Sequence, residues 1–204
     1  LGQLKAAKPG QVDVPEERRF LGFDAYERLI ASDLDGVLIA AASHFHPELL
    51  RAAVAAGKHV FCEKPHGIDV PGIEVSLAAS KEAGTKGLSL VSGLCWRYDA
   101  GVQETVKRIR DGAIGEVVAI QETYASQPYN VFERPEGMGE LEYQIRNWYH
   151  FNWLSGDQTS QQLIHSIDKA SWVLGDVPPA KVWGMGGCQV CVEPKYGDQY
   201  DHHA

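Results

Sequence analysis

The sequence predicts an α/β fold that is built on a partial, doubly wound parallel sheet. Between residues 36 and 91, apolar segments of strand length alternate with helical segments, which is the pattern of consecutive βαβ units. The first of these segments, Gly36–Ala42, is continuously apolar, as is typical of a strand buried on both faces. No G-x-G-x-x-G turn occurs anywhere in the chain. The sheet is therefore predicted without its usual first βα unit. Either that unit precedes Leu1 or this is not a nucleotide-binding domain.

Composition narrows the class of protein. Hydrophobic residues make up 44% of the 204 residues, which is enough for a packed core and argues against intrinsic disorder. The formal net charge of -8 argues against a nucleic-acid partner, because such a partner requires a basic surface. No apolar run reaches the roughly 18 residues of a membrane span, so no membrane partner is expected. Because the chain begins without Met and both ends resemble interrupted elements, we expect it to be incomplete at both termini.

Helices and strands alternate in the first part of the chain. A helix is predicted from 25 to 31, and the strand Gly36–Ala42 follows it. Pro47 suits the first turn of the next helix, and Gly57 ends that helix. Its apolar stripe consists of Leu49, Leu50, Ala53 and Val54. A short apolar strand, His59–Cys62, comes directly after it.

The third predicted parallel strand is Leu88–Val91. The helix before it begins at Pro71 and ends at Gly84, and its pattern predicts that Ile73 and Leu77 face the core. Because parallel strands need crossover connections, the three strands and two helices form two βαβ units.

The character of the sequence changes near residue 98, so we divide the chain into domains 1–97 and 98–204. The elements predicted for the second domain are a helix from Asp99 to Gly112, a strand Glu116–Tyr124, a long loop Gln127–Trp153, a helix Thr159–Leu174 and a strand Lys181–Val192. The apolar set of its second helix is Leu163, Ile164, Ile167, Ala170, Val173 and Leu174. Loops as long as the one predicted here are usually functional or mobile.

Glu63-Lys64-Pro65 directly follows the second predicted strand. Ligands of open parallel sheets bind just beyond the carboxyl ends of the strands. A lysine sheltered at that edge can have its pKa lowered and can share a proton with a substrate oxygen. The alternative is an exposed ion pair at a strand end, which would contribute little to stability.

Gln161, His165 and Asp168 form a second polar group, which their spacing places on one face of the predicted helix. If His165 lies near Lys64, the two side chains form a proton-transfer pair at neutral pH. Taken alone, a histidine here is equally well an ordinary core or surface residue. The spacing along the chain does not decide whether Lys64 is near.

His44 and His46 form an H-x-H pair after the first predicted strand. A metal site needs three or four ligands, and only Cys188, Cys191 and the terminal histidines could supply the others. Cysteines three residues apart on a strand face opposite sides, so no metal is predicted.

Aromatic side chains crowd the end of the long loop, namely Trp148, Tyr149, Phe151 and Trp153. Such rings stack on sugars and on flat cofactors, but they also form ordinary core, and both alternatives stay open. Neither a G-x-S-x-G motif nor a P-loop occurs in the chain, so the sequence does not indicate those hydrolase or nucleotidase classes.

Several motifs follow one another in a fixed order, namely Asp35–Ala40, His46, Ala56–Pro65, Trp96–Tyr98, Asp111–Val117, and Ile164–Asp168 before Leu174-Gly175. In these motifs the chain resembles the glucose–fructose oxidoreductase, inositol dehydrogenase and MocA family, abbreviated Gfo/Idh/MocA. The match covers nearly the whole chain. Its most specific part is Glu-Lys-Pro after Ala-Gly-Lys-His-Val.

The resemblance implies an oxidoreductase that uses NAD or NADP and transfers a hydride between nicotinamide and a carbinol carbon of a sugar, polyol or related carbohydrate. It implies an N-terminal Rossmann domain and part of a C-terminal α/β domain with an open, mainly antiparallel sheet. It also implies a homo-oligomer, either a dimer or a tetramer. A cytoplasmic location is expected, and it stays open because we expect the N-terminus to be missing.

The resemblance also assigns roles to residues. Lys64, His165 and Gln161 are predicted to be catalytic, with His165 accepting the hydroxyl proton and Lys64 stabilising the developing alkoxide. The predicted cofactor-binding residues are Ala41, Ser43, His44, His46, Glu63, Lys64, Pro65, Cys95 and Arg97. The predicted substrate-binding residues are Lys64, Tyr124, Asn147, Trp148, Gln161, His165 and Asp168. Pro65 is expected to follow a cis peptide bond.

The chain departs from the family pattern at Gln161, where the family usually has an acidic residue four positions before the histidine. An amide can orient a hydroxyl, but it cannot share a proton at neutral pH. Two alternatives to the dehydrogenase therefore stay open. One is an NAD-dependent glycoside hydrolase of the same fold. The other is an inactive fragment or an interaction protein that lacks the phosphate-binding turn.

Overall fold

The structure, a computed structural model, describes residues 1–203. At its centre is a parallel sheet of three strands, β1 (Gly36–Ile39), β2 (His59–Cys62) and β3 (Leu90–Ser92), in that order. Val37 lies opposite Val60, and Val60 lies opposite Leu90. The parallel sheet confirms the predicted α/β fold class.

The α-helices of the described residues are α1 (Gly2–Ala7), α2 (Ala25–Ile30), α3 (His46–Ala55), α4 (Val70–Thr85), α5 (Ala100–Arg110), α6 (Glu140–Arg146), α7 (Asn152–Ser155) and α8 (Ile164–Val173). A π-helical turn, Thr159–Leu163, runs directly into α8. Short 3₁₀ turns lie at Glu16–Arg18, Ser43–Phe45, Cys95–Tyr98, Trp148–His150 and Pro194–Tyr196. No helix within residues 1–203 combines the length and apolarity that crossing a membrane requires.

Local sequence sets the ends of the helices beside the sheet. Pro47 lies in the first turn of α3, as predicted, and Gly57 follows the helix with φ of 73°. The Asp69 carboxylate caps α4 by accepting a hydrogen bond of 2.7 Å from the Gly72 amide. The predicted end of α4 at Gly84 is wrong, because the helix continues to Thr85 and the left-handed residue that follows it is Gly87, with φ of 67°.

The hydrophobic core lies between one face of the sheet and the helices α3 and α4. Its fully buried members are Ile39, Leu50, Ala53, Val54, Val60, Cys62, Ala79 and Ala83. Helix α4 contributes small residues because it packs directly on α3. The prediction that Ile73 and Leu77 face this core is wrong, since they are 39% and 57% exposed and line an outer groove.

The second part of the chain contains less regular strand than predicted. Residues 116–134 form neither helix nor strand, and Val118 is 90% exposed. The predicted strand Lys181–Val192 is reduced to β4 (Gly186–Gly187), which pairs antiparallel with β5 (His202–His203). A strand needs a neighbour to complete its backbone hydrogen bonds, and most of these residues have none within the described chain. The long loop, in turn, contains α6.

Helix α8 and the turn before it bury their polar face. Gln161, His165, Ser166 and Asp168 are buried, whereas Ile167 and Leu174, which belong to the apolar set of this helix, are 51% and 53% exposed. Its polar face packs on the end of the parallel sheet, and its apolar face lies beside residues 117–120 in an open groove.

Candidate active site

The carboxyl ends of the three parallel strands meet at one edge, and the candidate site is built there. The Glu63 amide donates to the Ile39 carbonyl at 2.9 Å, and the Gly93 amide donates to the Cys62 carbonyl at 2.8 Å, so the chain stays paired just beyond the strands. A side chain at position 93 has no room, because a Cβ atom there would lie 2.6 Å from Glu63 Oε2. The following Lys64–Pro65 peptide bond is cis, as the resemblance implied.

Lys64 extends from this edge towards the second half of the chain. Its Nζ donates a hydrogen bond to the main-chain oxygen of Gln161, which lies one helical turn before His165. Partial burial lowers the pKa of Lys64, while the Glu63 carboxylate opposes that shift. The lysine is therefore a sheltered cation that is held against the helix carrying the histidine.

His165 presents an unused ring nitrogen at this place. The side chain is 8% exposed, and its Nδ1 is buried without a hydrogen-bond partner among residues 1–203. Burial lowers the pKa of His165, and the positive charge of Lys64 lowers it further, against the carboxylates of Asp168 and Glu63. The ring is therefore neutral at pH 7 and able to accept a proton. The structure thus brings Lys64 and His165 together, although they lie far apart in the sequence.

Gln161 was predicted to act on the substrate, but its side chain is committed to the protein. The residue is 1% exposed, and its Nε2 donates to Ser43 Oγ at 2.8 Å and also to the Ser155 carbonyl. Neither bond leads to a reacting group. The predicted direct contact of Gln161 with a substrate is therefore not what the structure shows.

The loop after β1 contains both buried side chains, which hold the loop in place, and exposed side chains. Ser43 is fully buried, and His46 is 1% exposed with its Nδ1 2.7 Å from the Pro65 carbonyl and its Nε2 2.9 Å from the Ala41 carbonyl. Because their polar atoms are used in this way, Ser43 and His46 support the loop rather than offer side chains to a cofactor. Ala41 and His44 remain exposed on the same loop.

Arg97 and Asp168 were predicted to contact cofactor and substrate, but they bind each other. The guanidinium Nη2 lies 2.8 Å from Asp168 Oδ1 and 2.6 Å from Asp176 Oδ1, and the group lies over the ring of Trp172. Hydrogen bonding to Arg97 lowers the pKa of Asp176. Arg97 and Asp168 therefore use their charged groups on each other, and their ion pair links the segment after β3 to α8.

Asn147 is also a structural residue, contrary to its predicted role in substrate binding. It is 3% exposed, and its Oδ1 accepts a 2.8 Å hydrogen bond from the Phe132 amide. Its Nδ2 donates to the carbonyls of Phe132 and Tyr143, each at 3.2 Å. The side chain therefore joins the backbone at Phe132 to α6.

An aromatic stack borders the site. The ring centroids of Trp148 and Tyr149 are 3.8 Å apart, and those of Tyr149 and Tyr129 are 4.1 Å apart, with nearly parallel planes. Burial raises the pKa of Tyr149, and the charge of Glu63 raises it further, which indicates that the stack lies near the lysine turn. Sequence reasoning missed Tyr129, and no local signal could have found it, because the stack joins distant segments.

Tyr124, which was predicted to bind substrate, lies on the helix side of the site. Its hydroxyl donates to Gln162 Oε1 at 3.1 Å, and Gln162 precedes His165 by three positions on the same helical face. Tyr129 donates to the neighbouring Gln158 at 3.0 Å. The hydroxyls of Tyr124 and Tyr129 therefore bind amides of the helical segment that leads to His165.

Within residues 1–203, no group of three or more His, Cys, Asp or Glu side chains is arranged to hold a metal ion. The Cys-x-x-Cys segment instead wraps a carboxylate, since Asp201 Oδ2 accepts hydrogen bonds from the amides of Gln189, Val190 and Cys191. These bonds lower the pKa of Asp201.

Residues at the open edge fit the nicotinamide end of a dinucleotide cofactor. Ala41, His44 and Cys95 are exposed on the segments that follow β1 and β3, at the edge from which Lys64 extends. The His165 nitrogen that has no hydrogen-bond partner among residues 1–203 provides a polar atom for a bound hydroxyl. The glycine-rich turn that binds the phosphates in such folds does not occur in this sequence.

Comparisons with known proteins find relatives over most of the chain. Residues 4–90 match the Gfo/Idh/MocA model, described as an oxidoreductase family with an NAD-binding Rossmann fold. The chain is 29% identical over 153 residues to an inositol 2-dehydrogenase of Klebsiella pneumoniae (strain 342), a match covering 75% of this chain and 39% of that protein. It is 27% identical over 190 residues to a 2,7-anhydro-N-acetylneuraminate hydratase of Escherichia coli (strain K12), covering 93% of this chain and 46% of that protein.

Among solved structures, the chain resembles an aldose-aldose oxidoreductase from Caulobacter crescentus with a TM-score of 0.66 and 25% identity. That match covers 98% of this chain and 54% of the other. The chain thus spans less than half of the length of the two curated relatives above.

Proposed function

Because residues 4–90 match the Gfo/Idh/MocA model, described as an oxidoreductase family with an NAD-binding Rossmann fold, we propose that this chain carries part of the active site of a carbohydrate oxidoreductase. The reaction is hydride transfer between nicotinamide, from NAD or NADP, and a carbinol carbon of a sugar or polyol. The observation that carries the proposal is the convergence of Lys64 and His165 at the carboxyl edge of the sheet, where one ring nitrogen of His165 has no hydrogen-bond partner within the described part of the chain.

His165 and Lys64 divide the proton chemistry between them. Neutral His165 accepts the proton of the substrate hydroxyl, and the Lys64 ammonium stabilises the negative charge that develops on that oxygen. The bound cofactor supplies the hydride acceptor, so the carbinol becomes a carbonyl. Ala41, His44 and Cys95, which are exposed on the segments that follow β1 and β3, would hold the nicotinamide end.

The surroundings of His165 favour an uncharged, hydroxyl-rich substrate. Tyr124 and Gln162 offer a hydroxyl and an amide beside the histidine, and the Trp148–Tyr149–Tyr129 stack provides a flat apolar surface of the kind that packs against sugar rings. The names of the relatives, an inositol dehydrogenase and an aldose-aldose oxidoreductase, support the same class of substrate.

A second candidate is hydration or cleavage of a carbohydrate without net change in the cofactor. Two observations favour it. Position 161 carries an amide that cannot share a proton, and a relative named as a hydratase matches 93% of this chain. Glycoside hydrolysis that uses NAD only transiently belongs to this same redox-neutral class.

One assay separates these candidates. The full chain is incubated with NAD⁺ or NADP⁺ and with inositols or aldoses, while absorbance at the reduced-nicotinamide band and product masses are followed together. Net reduction of the cofactor with loss of two hydrogens from the substrate supports the oxidoreductase. A change in product mass without net reduction supports the redox-neutral reaction. If the chain neither binds a cofactor nor converts any substrate, the proposal of an active enzyme is contradicted and the inactive or interaction class stands.

A further inference from the structure

We infer that Gln161 is a positioning residue whose amide must donate hydrogen bonds, and that it sets the relative position of Lys64 and His165. This inference rests on the proposed function for its consequence, but its physical basis is independent of turnover. It concerns the position at which the sequence departs from the acidic residue of the family pattern.

Gln161 joins three parts of the chain at one point. Its side-chain Nε2 donates to Ser43 Oγ in the loop after β1 and to the carbonyl of Ser155 in α7. Its main-chain oxygen accepts the hydrogen bond from Lys64, beyond β2. A single residue therefore connects the carboxyl ends of two strands to the helix that carries His165.

The site of these bonds is dry. Ser43 and Ser155 are both fully buried, and Gln161 is 1% exposed. Water therefore cannot replace a donor that is removed, and each acceptor left without a partner destabilises the arrangement. The hydrogen bonds of Gln161 to Ser43 and Ser155 consequently fix the position of the loop after β1.

The chemistry of the acceptors explains why an amide stands at this position. The Ser155 carbonyl can only accept a hydrogen bond, so the group facing it must donate. A carboxylate of the same shape has no donor at neutral pH, and burial opposes its charge. The ionisable groups around position 161 are Lys64 and Glu63 beyond β2, together with Asp157 and His165 four residues away on either side.

It follows that proton transfer in the proposed reaction uses His165 without a carboxylate partner at position 161. Restoring the acidic residue of the family pattern in this chain is then expected to weaken the site rather than improve it. This outcome is opposite to what a direct catalytic role of position 161 would give.

The test is thermal unfolding of the full chain with Q161E at pH 5 and pH 8. A buried carboxyl facing a carbonyl oxygen has a pKa above that of the unfolded chain. The Q161E variant therefore keeps its stability at low pH, where the protonated carboxyl group still donates a hydrogen bond, and loses stability as pH rises. We expect a melting temperature close to wild type at pH 5 and clearly lower at pH 8. The control Q3E adds the same charge at an exposed position of α1 and should change neither value.

A second variant separates the lost donor from the added charge. Q161L removes the amide without adding charge and should lower the melting temperature equally at both pH values. In turnover, Q161L should lower kcat more than it raises KM and should move the acidic limb of the rate profile to higher pH, because Lys64 no longer lies as close to His165. A merely structural role would not move that limb.

Failure of this inference differs from failure of the proposed function. If Q161E melts like wild type at pH 8 and turns over faster, Gln161 is not a required donor, whatever the reaction is. If the wild-type chain shows no turnover, the pH-dependent melting still decides the role of the amide. Should Q161E not fold at either pH, S43A, which removes one acceptor, must lower the melting temperature at both pH values or the inference is wrong.

Discussion

Arg97 and Asp168 form an ion pair across 71 positions of sequence, with Nη2 2.8 Å and Nε 2.9 Å from the same carboxylate oxygen. The Asp168 side chain is 8% exposed and that of Arg97 is 31% exposed, so the pair is largely shielded from water. It attaches the residues after β3 to α8, three positions beyond His165. The two side chains thus hold the helix that carries His165 in place rather than bind a ligand.

Removing this pair should destabilise the protein. D168N leaves a partly buried guanidinium with Asp176 alone, and we expect the free energy of unfolding to fall by about 1–3 kcal/mol, measured by urea denaturation. The control E104Q breaks the exposed pair between Glu104 and Arg108 and should change stability by about 0.5 kcal/mol or less. Equal effects of both substitutions would contradict the linking role of Arg97.

Position 93 should tolerate no side chain. A Cβ atom in G93A would lie 2.8 Å from the Glu63 Cα and closer still to its carboxylate, so the turn that carries Lys64 must shift. We expect a loss of about 1–3 kcal/mol, measured by urea denaturation, together with reduced turnover. In contrast, G84A lies inside α4 with open space around it and should gain about 0.5–1 kcal/mol. A neutral G93A would show that the backbone there has room to move.

Lys64 should be required for the chemical step. In K64M the developing alkoxide loses its cation, and we expect kcat to fall about 10²–10³-fold, as when a preorganised electrostatic donor is removed. The control K81M removes an exposed lysine of α4 and should leave kcat unchanged. Steady-state kinetics at saturating cofactor provide the measurement. Comparable kcat values for K64M and wild type would exclude the assigned role.

The acidic limb of the rate profile should lie below the ordinary histidine range. His165 must be neutral to accept a proton, and burial together with Lys64 lowers its pKa from 6.5. As pH falls, kcat/KM is therefore expected to stay constant down to the ordinary pKa of histidine and to decline only at lower pH. H165N should lose most of the activity and, with it, this limb. A limb at the same pH in the residual activity of H165N would point to another group.

Stability should also fall in acid because of buried histidines. Burial lowers the pKa of His66, His150 and His165 from 6.5, so the folded state keeps them neutral. The unfolded chain takes up protons below about pH 6.5. The stabilisation is hence complete above that pH and is lost as pH falls towards the lowered values. Urea denaturation at pH 7.5 and pH 5.5 measures the loss, and H150N should reduce it, whereas substitution of the exposed His202 should not.

Local rules predicted much of the parallel sheet. The apolar run before the Glu-Lys-Pro turn predicted β2 with the observed bounds, and Pro47 and Gly57 predicted the limits of α3. These predictions succeed because proline geometry, left-handed glycine and strand burial act over a few residues. They fail for α4, where close packing on α3 selects alanine rather than the larger Ile73 and Leu77.

The sequence by itself determined the class of fold, the turn that presents Lys64, and a helix carrying Gln161, His165 and Asp168 on one face. Only the tertiary structure decided what each of these polar groups does. Gln161 meets Ser43 across 118 positions, and Asp168 meets Arg97 across 71, and no local pattern encodes such partners. A buried polar group binds the donor or acceptor that lies within about 3 Å of it. Which partner that is depends on how the helix packs on the sheet.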